Sequence, residues 1–139
     1  MAAVNPLLRP RRRMSCSMTI DAVVERRKTV TRRHENTWRN LQPGDRLTLI
    51  EKGMGLPKGA RQVVLCEVEV VDVRLEPLVA IFDEPDAVAR EGITTMSPNR
   101  FAYWWAESHG YGKLATPAEL APIMCRRIEW RYLEGEPAA

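Results

Sequence analysis

Histidine and cysteine are scarce in this chain. Its 139 residues hold two histidines, His34 and His109, and three cysteines, Cys16, Cys66 and Cys125. There is no HExxH helix, no CxxC pair and no His/Cys ligand spacing, so neither a metal nor another cofactor is expected. Three isolated cysteines argue against a disulfide scaffold and predict a reducing, cytoplasmic setting. No apolar run approaches the ~18 residues that a membrane span needs. The basic stretch from Arg9 to Arg13 has no apolar segment behind it, which argues against a secretory signal. Gly53-Met54-Gly55 lacks the Gly-Lys-Ser/Thr end of a phosphate loop. No internal repeat occurs.

What the chain does contain is unevenly spread. Hydrophobic residues make up 45% and charged residues 28%, the balance of one ordinary globular domain. The net charge of +3 conceals an asymmetry. Residues 1–61 carry 14 Lys/Arg against 5 Asp/Glu, while residues 62–139 carry 7 against 13. A basic half suggests an anionic partner, nucleic acid first. Two solvated faces that neutralise each other in the fold account for the split equally well.

Periodicity divides the chain into short elements. Residues 1–13 read as a basic disordered leader, 14–133 as one domain and 134–139 as a frayed tail. Thr19 can cap a helix with Ile20, Val23 and Val24 on its buried stripe, ending near Arg27. Gln42-Pro43-Gly44-Asp45 is a turn, and residues 46–50 then alternate as a strand. Residues 63–73 form a Val-rich strand with one wet face. Residues 75–82 start a helical region. Asp83-Glu84-Pro85 reads as the cap and first turn of a helix that Gly92 stops. Ser97-Pro98 opens another helix, and Thr116-Pro117-Ala118-Glu119 is a capping box. Ile128, Trp130 and Tyr132 alternate against charged neighbours in a closing strand. The sum is an α+β domain with a mainly antiparallel sheet.

The sharpest segment is the corner Arg26-Arg27-Lys28-Thr29-Val30-Thr31-Arg32-Arg33. Cations crowded at a helix-to-strand corner can hold phosphates. A lysine among other cations loses affinity for its proton and can act as a base toward a hydroxyl such as Thr31. On spacing alone, a solvated basic edge is the simpler reading.

The run from Ala22 to Arg33 resembles the opening signature of ASCH domains, whose fold is a PUA-like mixed β-barrel with short flanking helices. Pro43-Gly44-Asp45 before a strand, the Val-rich strand and the closing Ile128–Tyr132 strand extend the likeness over residues 14–133. The chain is especially similar to phage and prophage members. One branch of the family hydrolyses N4-acetylcytidine with a lysine, a threonine and a glutamate. The resemblance places these at Lys28, Thr31 and Glu91, with Thr31 as nucleophile, Lys28 as its base and Glu91 as proton shuttle or orienter. The family's glycine before Arg-Lys is Arg26 here, and the Trp104/Trp105 helix is absent from the most compact members.

Other members of the family bind or cleave RNA, so a modified-base reader and a ribonuclease stand as alternatives. The expected partner is a nucleoside or single-stranded RNA, with no membrane involved. Arg27, Arg32, Arg33 and Arg39 are expected to wall a positive cleft, with Trp38 as a base-stacking lid. Trp104 and Trp105 point about 100° apart on a helix, so one can be core while the other lines a groove. Trp130 reads as core, and His109 as compensating a helix dipole.

Overall fold

The computed structural model describes residues 12–133. Five strands make one sheet: β1 (Arg12–Ser15), β2 (Val30–His34), β3 (Arg46–Ile50), β4 (Val64–Pro77) and β5 (Met124–Tyr132). Their order across the sheet is β1-β3-β4-β5-β2. β1 runs parallel to β3, and the other three pairings are antiparallel. The architecture is α+β, a mixed sheet curled into a half-barrel with short helices. The curl stays open, because among the described residues no ladder joins the edge strands β1 and β2. Arg33 bridges that seam instead, donating from Nη2 to the Ser15 carbonyl at 2.9 Å.

Two apolar clusters sit on either side of the sheet. Inside the curl, Met14, Val23, Leu47, Leu49, Val68 and Trp130 pack together. Outside, helix α3 (Pro98–Ser108) lays Phe101, Ala102 and Trp105 against Leu78, Ile81 and Cys125. β5 feeds both clusters, Ile128 and Trp130 to the first and Cys125 to the second. A strand covered on both faces cannot keep strict polar alternation, which is why Arg127 and Ile128 are both buried.

Several expected boundaries moved. β1 begins at Arg12, so Arg12 and Arg13 belong to the sheet and not to the leader. Residues 1–11 and 134–139 lie outside the described residues. β4 runs on to Pro77, through residues expected to be helical, because Leu75, Glu76 and Pro77 pair with β5. A 3-10 helix (Leu78–Asp83) follows. Glu84 is extended, as the residue before Pro85 must tend to be, and helix α2 covers only Ala87–Arg90.

Helix α1 (Ile20–Val24) ends earlier than expected. Arg26 adopts φ 65°, the left-handed turn that glycine makes most readily. Its side chain offsets the strain by donating to the Val23 and Val24 carbonyls and by lying 4.9 Å over the Tyr132 ring.

Gly92 stops α2 as expected, at φ 90°. A Cβ there would fall 2.8 Å from the Ala22 Cβ and 3.1 Å from the Lys28 Cβ. Gly92→Ala is therefore expected to cost about 2–4 kcal/mol, from conformational strain plus overpacking. An unchanged denaturant midpoint would show that α1 can move away freely.

Candidate active site

The Arg26 turn sets up the site by folding the chain back on α1. The Arg27 and Lys28 amides both donate to the Ala22 carbonyl. The Lys28 carbonyl accepts from Trp130 Nε1 at 3.1 Å and from the Tyr132 hydroxyl. The Thr29 amide donates to the Arg90 carbonyl at 2.9 Å, tying the start of β2 to the end of α2. Those bonds bring Lys28 and Glu91, distant in sequence, face to face.

Lys28 is buried, 3% exposed. Its Nζ donates to the Glu91 carbonyl at 2.6 Å and lies 3.6 Å from Glu91 Oε1. Burial pushes Lys28 below the ordinary lysine value of 10.5. Arg33 pushes the same way, while Glu91 and Cys16 oppose. Glu91 is held at its other oxygen, where Arg32 Nη1 donates to Oε2 at 2.9 Å. Thr31 is buried in β2, and its Oγ1 accepts from Arg33 Nε at 3.1 Å. Thus Arg32 anchors the carboxylate, and Arg33 orients the hydroxyl.

Lys28, Thr31, Arg33 and Glu91 border one cavity of about 220 Å³ at the seam between β1 and β2. Phe101, Trp104 and Trp105 of α3 and His109 at its C-terminus form its aromatic wall. The volume is below the ~300–1,000 Å³ of pockets for drug-sized ligands. It suits one small planar group, with the rest of a ligand outside. Cys16 also borders it, and burial holds its thiol above 9.0, so it is protonated and a poor nucleophile.

A depressed lysine leaves a signature in stability. Below its folded pKa, folding must bury a charge that the unfolded chain solvates, so Lys28 opposes folding there. The penalty fades as pH rises from the folded value toward 10.5. Lys28→Met should remove that upward slope. The difference between variant and parent unfolding free energies, followed from pH 7 to 10.5, checks it, and parallel curves would refute it.

The expected cationic wall is brought together only in part. Arg33 faces the cavity. Arg32 does not offer its guanidinium to a phosphate, because it is fully buried among Glu91, Glu84 and Glu76. Arg27 borders a shallower neighbouring pocket and pairs with Glu25 at 2.7 Å. Arg39 is exposed and away from the cavity lining. Trp38 is no lid. It packs on the inner core beneath the Arg12 guanidinium, 4.8 Å from its ring centre. The aromatic wall comes from α3 instead, with Trp105 buried and its Nε1 donating to the Arg32 carbonyl at 2.9 Å, while Trp104 is half-buried. The sequence reading missed Cys16, His109 and Glu84, none of which carries a spacing signal. The Gly53–Gly59 loop also stands apart from the cavity lining.

Among the described residues, no three His, Cys, Asp or Glu side chains gather as a metal set, and no helix is long and apolar enough to cross a membrane.

No protein-family model and no curated protein matches the chain. The half-barrel, with its basic corner at the open seam, has a PUA-like fold. A solved structure with the same fold is protein EF3133 from Enterococcus faecalis V583, which carries the family model DUF984. The two superimpose with a TM-score of 0.57 over 95% of this chain and 86% of that one, at 14% identity. At that identity the likeness is one of fold.

Proposed function

We propose that the chain is a hydrolase that removes the acyl group from the exocyclic amine of a modified pyrimidine nucleoside of the N4-acetylcytidine type. The observation that carries this reading is a buried lysine, turned to Glu91, that shares a small cavity with a threonine hydroxyl. A solvated basic edge has no need of such a lysine.

The chemistry balances with these groups alone. Neutral Lys28 takes the Thr31 proton as Oγ1 bonds to the amide carbonyl carbon. Arg33, whose Nε donates to Oγ1, is the cation beside the forming bond and offsets the negative charge that develops on the carbonyl oxygen. Collapse breaks the C–N bond, and Lys28 returns its proton to the leaving amine. Water then adds to the threonine ester, giving a proton to Lys28. Acetic acid, which keeps water's second proton and ionises in solution, departs as the Lys28 proton returns to Thr31. Glu91, fixed by Arg32, orients Lys28 through both its carbonyl and Oε1.

The test is incubation of the full chain with N4-acetylcytidine, with acetylated RNA and with plain single-stranded RNA, followed by chromatography. Release of cytidine and acetate supports the reading. Shortened RNA would replace it with a ribonuclease, and binding without turnover with a base reader.

A further inference from the structure

His109 is a cavity residue that the mechanism above does not use. It caps the C-terminus of α3, and its ring lies flat on Trp105, with centroids 3.9 Å apart and planes 14° from parallel. Its Nδ1 is 2.7 Å from the Trp105 carbonyl oxygen. A carbonyl only accepts, so Nδ1 carries the proton and the neutral ring leaves Nε2 as a bare acceptor. Among the described residues nothing donates to that Nε2. Of the other nitrogen groups bordering the cavity, Arg32, Arg33 and the Trp105 indole are donors only, and Lys28 Nζ is turned to the Glu91 carbonyl. Glu91 already has Lys28 and Arg32 on its two oxygens.

From this arrangement we infer that His109 is the specificity residue of the cavity, its Nε2 accepting the amide N–H of an N-acylated heterocycle. The inference rests on the hydrolase reading and adds to it the atom that is recognised. An acyl group carried on an N–H is accepted. One carried on an N-methyl nitrogen leaves Nε2 unpaired.

Protonation would end this role, since imidazolium has no acceptor. Burial pushes His109 below its ordinary value of 6.5, against the bond to the Trp105 carbonyl. Arg33 and His34 from β2 push the same way, and Glu91 opposes. The acceptor is therefore present at neutral pH and lost only in acid.

The chain supplies its own reference. His34 Nδ1 accepts from the Asn36 amide at 3.1 Å, so neutral His34 carries its proton on Nε2. In their neutral forms the two imidazoles should show opposite tautomers in nitrogen-15 spectra. His109→Phe assigns the signals. It keeps a ring on Trp105, whose carbonyl retains the His109 backbone amide at 3.0 Å. Titrating the Thr31→Ala chain with N4-acetylcytidine should move the His109 Nε2 signal and leave His34 in place. In the parent, the N-methylated analogue should have a KM about 10- to 100-fold higher, and His109→Phe should narrow that gap. Calorimetric binding with an unmoved Nε2 signal, or a His109 proton found on Nε2, overturns the inference and leaves the hydrolase reading standing. Absence of both binding and turnover overturns the two together.

Discussion

Arg32→Met is expected to destabilise the protein by about 3–5 kcal/mol, the cost of breaking a buried charge network by removing one partner. The Arg32 guanidinium is fully buried. It bonds Glu91 and Glu84 at 2.9 Å each, and Glu76 lies 3.8 Å away. Methionine fills a similar volume but leaves three carboxylates facing an uncharged side chain. Arg127 still bonds Glu84 at 2.8 Å and Lys28 still faces Glu91, which keeps the loss from being larger. Denaturant unfolding measures it, and a loss under about 1 kcal/mol would mean the network does not hold Glu91 in place.

Acid adds a second reading of the same variant. Burial raises the Glu84 pKa, but the Arg127 hydrogen bond and the charges of Arg32, Arg127 and Arg90 outweigh it, and the net shift is downward from 4.5. The stability this carboxylate contributes is full above 4.5 and is lost as pH falls through the lower folded value. In Arg32→Met that acid-dependent loss should shrink.

Thr31→Ala is expected to cut deacylation by about 10³–10⁶-fold, as loss of a nucleophile does. Stability should change by less than about 1 kcal/mol, because the hydroxyl makes one bond, to Arg33, at the edge of a cavity. Thr31→Ser keeps an oxygen in place and should retain measurable turnover. Parent-level activity in the alanine variant would remove Thr31 from the chemistry, whatever Lys28 does.

Local signals carried most of the elements. Ser97 caps α3 by accepting from the Arg100 amide. Glu119 reaches back to the Thr116 amide at 3.0 Å ahead of α4 (Pro117–Leu120). The alternation of Ile128, Trp130 and Tyr132 became β5. Each of these depends on residues within one turn or one strand, where sequence spacing and spatial spacing coincide. β1 is different. Four residues with two arginines hold no period, and they become a strand only because β3 offers a parallel edge and Met14 finds the inner core.

The site divides along the same line. The Lys28 and Thr31 positions followed from the resemblance of one short run, and Glu91 from the helix that follows the long strand. Counting charges made Arg32 and Arg33 alike. Their separation needed the sheet, because alternate residues of β2 face opposite sides. Arg33 reaches over the open seam to Ser15, while Arg32 enters the cluster built by Glu76 of β4, Glu84 before Pro85 and Glu91 at the end of α2. By itself, the sequence determined the caps of α3 and α4, the turns, the closing strand and the basic corner, all local matters of backbone geometry and hydrophobic period. Thr19, by contrast, makes no side-chain cap, and α2 starts from Asp86, past the expected Asp83-Glu84-Pro85 turn. Which arginine is buried, that Trp104 and not Trp38 stands at the cavity, and that the His109 ring lies on Trp105 at the cavity wall were decided only by tertiary structure. Burial and proton affinity depend on neighbours that the fold brings in from distant segments.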